Sequence, residues 1–148
     1  RAEEVRRLLA WNGGGLYSSG VGVADIDFQG DVHADQFWMH RSLGNVRERP
    51  FSRIWTDTRD PLMAGLKDRR RVLKGRCRPD MCRWFDLCGG ALRVRADLVY
   101  GDPWAPDPAC YLTDEEIGLT PEKRARLRAD GQEFPRPAAE APARPACR

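Results

Sequence analysis

Cysteine is the residue type in this 148-residue chain whose spacing suggests chemistry. The first three cysteines, within one stretch of twelve residues, are Cys77, Cys82 and Cys88. Cys110 follows after 21 intervening residues, and Cys147 is the penultimate residue. The core pattern is therefore C-x4-C-x5-C-x21-C. Because zinc sites and iron–sulfur clusters both use thiolate ligands, this pattern predicts a metal site.

The spacing leaves several interpretations open. Disulfides need an oxidising compartment, and the chain starts at Arg1 with no secretory leader, which suggests a fragment or a processed chain. A structural zinc site usually has closely paired cysteines at both ends of its motif, whereas this chain has a trio and a single residue. An iron–sulfur cluster commonly takes several close cysteines and a remote one, so the spacing favours a cluster over zinc, disulfides or unrelated buried thiols.

The residues around the cysteines agree with a cluster. Two glycines directly follow Cys88 and allow backbone N–H groups to approach the sulfur atoms. Trp84 and Phe85 could shield a cluster from water, and they could equally be ordinary core aromatics. Three prolines stiffen the connector that carries Cys110, which lowers the entropic cost of fixing a remote ligand.

Short elements are predicted to position these cysteines. Residues 1–12 have the apolar spacing of a helix, which we expect to be the end of an upstream barrel helix and to stop at the glycine run 13–15. Residues 20–37 predict a β-hairpin with a bulge near Val23 and a turn at residues 29–31.

Two helices are predicted between the hairpin and the cysteines. The first is a short turn over residues 50–55 that buries Phe51, Ile54 and Trp55. The second begins with Asp60 as its cap and Pro61 at its first position, and it ends at Gly75. Its apolar stripe consists of Leu62, Leu66 and Leu73. Its basic residues, expected to form a solvated face, are Lys67, Arg69, Arg70, Arg71 and Lys74.

Charge and composition divide the chain near residue 118. The net charge of +3 comes from residues 119–148, and residues 1–118 carry equal numbers of acidic and basic residues. This balance weakens a nucleic-acid interpretation, and no apolar stretch is long enough to span a bilayer. The Pro/Ala/Arg-rich residues 119–148 are expected to be mostly disordered, apart from a short helix that starts at Thr120 and reaches Leu127. Their deletion is expected to leave stability unchanged.

Several segments, in order, resemble the haem d1 biosynthesis radical SAM proteins, over about residues 12–118. These segments are Asp31–Trp38, Leu43–Phe51, Gly75–Cys77, Cys88–Gly90, Gly101–Leu112 and Thr113–Gly118. The resemblance implies that residues 13–118 form a C-terminal twitch/SPASM-like domain with an auxiliary [4Fe-4S] cluster. Its implied ligands are Cys77, Cys82, Cys88 and Cys110. The family usually has two residues between the first two cysteines, whereas this chain has four.

The resemblance also implies a reaction and its partners. The reaction is a SAM-dependent radical modification that removes propionate side chains from a tetrapyrrole, in the cytoplasm. SAM and a second [4Fe-4S] cluster would bind a C-x3-C-x2-C loop in an upstream barrel domain, in the same chain or a separate one. This sequence has no such loop, so we expect no activity from it alone and assign no catalytic residue. An electron-donor protein is a further expected partner, whereas a membrane or a nucleic acid is not expected.

Three residues are candidates for contacting the substrate. Arg93 and Arg95 could pair with propionate groups or raise the potential of a nearby cluster, or instead form salt bridges with Asp97 or Asp102. His33 could be an axial ligand or a proton donor, although a packing role is the default for a histidine in a hairpin.

The sequence therefore predicts a small α+β domain, in which a β-hairpin and short helices are organised around an iron–sulfur cluster and are followed by a disordered C-terminal tail. One alternative is a zinc-stabilised interaction module whose basic tail contacts nucleic acid. Another is the same scaffold in a haem-forming or peptide-maturing radical SAM enzyme.

Overall fold

The computed structural model describes residues 1–16 and 18–135, and of residues 12–16 it describes the backbone alone. The strands are β1 (Asp25–Ile26) and β2 (Val32–His33). The α-helices are α1 (Ala2–Leu16), α2 (Phe51–Trp55), α3 (Pro61–Lys67), α4 (Phe85–Cys88), α5 (Arg93–Tyr100), α6 (Asp114–Ile117) and α7 (Pro121–Ala129). Short 3-10 helices cover Arg69–Arg71 and Gly75–Cys77. The predicted combination of a small hairpin and short helices is confirmed.

The hairpin is much shorter than the predicted residues 20–37. The two strands are antiparallel, and Asp25 pairs with His33. Pairing with β1 begins only at Asp25 because residues 18–23 form a turn. The other edge of β2 has a second partner: the N–H of Val32 donates to the Gly44 carbonyl at 2.9 Å, and the N–H of Leu43 donates back to Val32 at 2.8 Å. The predicted bulge is absent from the described strands, because residues 18–23 form a turn before β1 begins.

Helix α1 continues to Leu16, beyond the predicted end at the glycine run. Glycine lowers helix propensity by about 1 kcal/mol per residue but does not block helical backbone angles, so a glycine run alone need not end a helix. The predicted apolar face is only partly correct, since Val5 and Leu9 are buried whereas Leu8 is exposed. Helix α1 packs against α4, which carries Cys88.

Helix α3 starts as predicted. The Asp60 carboxylate accepts the N–H of Met63 at 2.9 Å, and Pro61 occupies the first turn. The helix ends at Lys67 rather than at Gly75, and the chain continues as two separate 3-10 helices. The apolar stripe is confirmed, because its three leucines are all buried.

Two side chains near these helices differ from the prediction. Phe51 of α2 is 38% exposed and stacks on Trp55, whereas Ile54 of the same helix is buried. Arg69 does not belong to a solvated basic face, because its side chain is buried and donates to the carbonyls of Gly89 and Ala91.

Buried apolar residues form two clusters. The main core joins β2, α2, α3 and α5 through Val32, Ala34, Trp38, Leu43, Ile54, Leu62, Met63, Leu66 and Val94. A second cluster lies beside the cysteines and consists of Val5, Leu9, Leu112 and Ile117. None of the helices within residues 1–16 and 18–135 has the length and hydropathy needed to cross a membrane.

The helix predicted after residue 118 is confirmed as α7. The Thr120 side chain accepts the N–H of Lys123 at 3.3 Å, and Leu127 is only 3% exposed. Arg126 pairs with Asp80 at 2.8 Å, so α7 packs on the loop between Cys77 and Cys82. Residues 119–135 therefore contribute contacts to the folded unit, and residues 136–148, including Cys147, lie outside the described part of the chain.

His33 is 2% exposed and holds the end of the hairpin. Its Nδ1 lies 2.8 Å from the Arg41 carbonyl, and its Nε2 lies 3.4 Å from the Asp27 carboxylate. Burial alone would lower the pKa of His33, but the hydrogen bonds to Arg41 and Asp27 outweigh burial and raise that pKa above 6.5. The stabilisation from protonated His33 is therefore complete below pH 6.5 and is lost as the pH rises through the higher folded-state pKa.

We expect Leu127→Ala to lower the free energy of unfolding by about 2–5 kcal/mol, because it leaves a cavity under α7. Leu98→Ala is the matched control: Leu98 is 68% exposed, so its truncation should change stability by less than about 0.5 kcal/mol. Urea denaturation measures both variants. Equal stability of the two would contradict the packing of α7 and would restore the expectation that residues 119–148 are dispensable.

We expect the free energy of unfolding to fall as the pH rises above 6.5, and His33→Gln should flatten this dependence. Asp27→Asn, which removes the charge facing Nε2, should move the loss of stability to lower pH. Denaturation curves at a series of pH values test both variants. An unchanged pH slope in His33→Gln would show that the stabilising charge lies elsewhere.

Candidate metal centre

Cys77, Cys82, Cys88 and Cys110 line a single cavity of about 90 Å³. All four are partly buried and free of disulfide bonds. They come from different local structures: Cys77 ends a 3-10 helix, Cys82 lies in the next turn, Cys88 ends α4, and Cys110 ends the proline-rich connector. The structure thus brings the remote cysteine to the close trio.

Gly75 and its neighbour Lys74 tie the Cys77 segment to the connector. The N–H of Lys74 donates to the Trp104 carbonyl at 2.9 Å, and its ammonium pairs with Asp102 at 2.6 Å. Gly75 has a φ of 56°, and a Cβ there would lie 2.6 Å from the Pro106 ring. The close approach of these two segments therefore fixes Cys77 relative to Cys110.

The four residues between Cys77 and Cys82 form a compact turn. The N–H groups of Met81 and Cys82 both donate to the Arg78 carbonyl at 3.0 Å, and the Met81 side chain is completely buried. Lys123 of α7 donates to the Met81 carbonyl at 3.0 Å. The extra length of this loop relative to the family pattern is therefore accommodated by packing and by α7.

The loop after Cys88 has an unusual backbone. Gly89, Gly90 and Ala91 have successive φ values of 54°, 76° and 56°. The left-handed region disfavours a non-glycine residue by roughly 1–2 kcal/mol, so surrounding contacts must stabilise Ala91 in it. Those contacts come from arginines: Arg69 donates to the Gly89 and Ala91 carbonyls at 3.1 and 2.8 Å, and Arg93 donates to the Gly90 carbonyl.

Asp107 fixes the connector just before Cys110. Its carboxylate accepts the N–H of Ala109 at 3.1 Å and pairs with Arg95 at 2.5 Å, and its carbonyl accepts the N–H of Cys110 at 3.1 Å. The expected stiffness of the connector thus comes from side-chain contacts as well as from proline.

Burial controls the charge of the thiols. It raises the pKa of Cys77 to about 12 and that of Cys82 to about 11, and it also raises the pKa of Cys88. Backbone N–H groups act in the opposite direction and lower these pKa values: Asp107 donates to Cys77, Trp84 to Cys82 and Gly90 to Cys88. These thiols are therefore protonated at neutral pH until a metal replaces the protons.

The rest of the cavity wall is largely apolar. It includes Leu9 of α1, Leu112, Ile117 and the two aromatic residues expected near a cluster, Trp84 and Phe85. The Trp84 indole donates to the Glu116 carbonyl at 2.8 Å, which fixes its ring beside the cysteines. Water is therefore largely excluded from this side of the thiols.

The four sulfur atoms fit an iron–sulfur cluster. An all-sulfur donor set is typical of zinc or of iron–sulfur clusters. Among residues 1–16 and 18–135, no three His, Cys, Asp or Glu side chains converge closely enough to hold a single metal ion. The four cysteines share one cavity of about 90 Å³, so their sulfur donors face a common space.

The predicted substrate residues have different positions. Arg95 lines the cavity and is partly exposed, and its partner is Asp107 rather than Asp97 or Asp102. Arg93 lies behind the cavity wall with no exposed surface. His33 belongs to the hairpin and does not line the cavity.

Sequence reasoning did not identify Asp107 or Arg69 as parts of this site. An Asp-Pro step shortly before Cys110 is a weak signal for a side-chain-stabilised turn. Arg69 has no such signal, because a run of arginines usually indicates a solvated surface.

Comparison with known proteins gives two informative relatives. No protein-family model and no solved structure matches the chain. Fe-coproporphyrin III synthase from Methanosarcina barkeri is 59% identical over 119 residues, which are 80% of this chain and 29% of that protein. Pre-heme d1 synthase from Dinoroseobacter shibae is 51% identical over 113 residues, which are 76% of this chain and 26% of that protein.

The chain spans less than a third of the length of these curated relatives. Identity at this level over most of the chain is enough to establish homology to that part of both proteins. The chain is therefore a homologue of one part of the haem-biosynthesis radical SAM proteins that its sequence resembles.

Proposed function

We propose that this chain is an auxiliary [4Fe-4S] cluster domain of a radical SAM enzyme that modifies the side chains of a tetrapyrrole. The observation that carries this proposal is the convergence of the four core-pattern cysteines on one cavity. Their thiolates would hold the four irons, and the wider spacing between the first two is accommodated by the turn that buries Met81.

When bound, the cluster would transfer single electrons or help to position the substrate. Four protein thiolates complete the coordination of four irons, which favours electron transfer or a structural role over direct binding of substrate. The chain's own contribution is to exclude water with Leu9, Trp84 and Leu112, and to direct backbone N–H groups at the sulfur atoms. Both features tune the potential of a cluster.

The substrate and partners follow from the relatives and from the exposed residues of the site. Both relatives are named for the synthesis of tetrapyrroles, which supports a tetrapyrrole that carries carboxylates. Arg95 is the better placed of the two candidate arginines to meet such a carboxylate, because it lines the cavity and is partly exposed. A SAM-cleaving barrel domain, an electron donor and a cytoplasmic location complete the proposal.

Anaerobic reconstitution with iron and sulfide tests the ligand set. We expect about four irons and four acid-labile sulfides per chain, with the broad visible absorption of a [4Fe-4S] cluster. Cys88→Ser should lose most of both, whereas Cys147→Ser should retain them, because Cys147 lies outside the core pattern. One tightly bound zinc without sulfide would favour the zinc-stabilised module, and full iron content in Cys88→Ser would refute the assigned ligand.

Removal of the cluster should lower the melting temperature, because metal binding to a site absent from the unfolded chain adds to folding stability. The loss should be local. Hydrogen exchange should increase at Leu9, Leu112 and Ile117 of the second apolar cluster and change little at Trp38 and Met63 of the main core. Uniform loss of protection would contradict the separation of the two clusters.

A further inference from the structure

Arg93 is a completely buried cation without a carboxylate partner among the described residues. Its side chain is 0% exposed, and its guanidinium donates to three backbone carbonyls: Pro103 at 3.2 Å, Ala105 at 2.6 Å, and Gly90. Its Nε has no hydrogen-bond partner within residues 1–16 and 18–135. Carbonyl dipoles alone compensate a buried charge only partly.

The nearby carboxylate does not neutralise Arg93. Asp107 acts electrostatically on Arg93, but its two oxygens are held by Arg95 at 3.0 and 2.5 Å. Arg93, Arg95 and Asp107 together hold two positive charges and one negative charge, so the charge of Arg93 remains uncompensated. A buried charge left without a partner is strongly destabilising, so Arg93 at this buried position calls for a compensating anion.

The cysteines provide that anion once they are ionised. Gly90 joins the two groups directly, because it lines the cavity together with Cys88 and its carbonyl accepts from Arg93. A [4Fe-4S] core held by four thiolates carries a net negative charge, which a cation at this position would offset.

We propose that Arg93 is the built-in counter-charge of the cluster, a positioning residue held directly behind the cavity wall that favours the more negative, reduced state. The inference rests on the proposed function, since it requires a cluster in the cavity. Arg93 thus acts on the potential rather than on the substrate, because its guanidinium is enclosed by carbonyls.

The left-handed loop makes this position possible. Gly90 is in contact with Arg93, and a Cβ there would lie 2.8 Å from Leu73 and 3.3 Å from the Arg93 guanidinium carbon. The consecutive left-handed residues place Gly90 in the cavity wall while its carbonyl accepts from Arg93. Arg69 holds the carbonyls on either side of Gly90.

The test is a redox titration of the reconstituted chain, followed by the electron paramagnetic resonance signal of the reduced cluster. Arg93→Gln removes the charge and keeps an amide donor, whereas Arg93→Lys keeps the charge with fewer hydrogen bonds. At the wild-type midpoint potential we expect Arg93→Gln to show at least a tenfold lower ratio of reduced to oxidised cluster, about 59 mV for a one-electron couple. Arg93→Lys should remain near wild type.

Arg70→Gln is the matched control, because Arg70 lies in the same 3-10 helix as Arg69 but is exposed and pairs with Asp86. The midpoint potential of the cluster in Arg70→Gln should equal that of the wild type. A wild-type potential in Arg93→Gln at full iron content would overturn the inference, as would equal shifts in the Gln and Lys variants, which would indicate a purely structural role.

If Arg93→Gln fails to fold, the test rests on Arg93→Lys. A tenfold fall in its ratio of reduced to oxidised cluster would contradict the counter-charge role of Arg93, and a wild-type ratio would support that role. Failure of the wild-type chain itself to take up iron and sulfide would instead refute the proposed function, so the two failures are distinguishable.

Discussion

The structure depends on one electrostatic constraint, which is that sulfur atoms buried together cannot ionise unless a cation replaces their protons. Cys77 and Cys82 lie in surroundings that hold their thiols neutral, although backbone N–H groups are already directed at both sulfurs. Under the proposed function, a metal that replaces the protons would reconcile the donors that favour the thiolate with the burial that opposes it. The apolar wall, the connector and the loop after Cys88 all contribute to this arrangement.

The main core and the second apolar cluster support different parts of the site. The main core around Trp38 and Met63 fixes α3 and α5, and through them the arginines behind the cavity. The second cluster joins α1 and α6 across the cysteines themselves. Because Leu9 of α1 lines the cavity, whatever moves α1 also changes the surroundings of the sulfur atoms. The cavity that the cysteines line is therefore coupled to α1 by packing.

The sequence predicts the parts of this protein that depend on local chemistry. Ligand type and spacing indicated the cysteine cluster, and the caps Asp60 and Thr120 indicated where α3 and α7 begin. Interactions between distant residues were not accessible. The hairpin is short because the chain before β1 forms a turn at residues 18–23, where the N–H of Gly20 donates to the Ala34 carbonyl. Arg69 is buried because the carbonyls of Gly89 and Ala91, about twenty residues away, accept its hydrogen bonds. Such partners follow from the tertiary fold, and residue type alone suggests a solvated arginine.

The contacts between α7 and the Cys77–Cys82 loop bear on the order of events during synthesis. When a growing chain has emerged from the ribosome as far as Cys110, all four core-pattern cysteines are outside, but Lys123 and Arg126, which hold that loop, are still inside the exit tunnel. The ligand shell is thus chemically complete before it is geometrically supported. Under the proposed function, a cluster would therefore find a fully supported pocket only once α7 has emerged and packed on that loop.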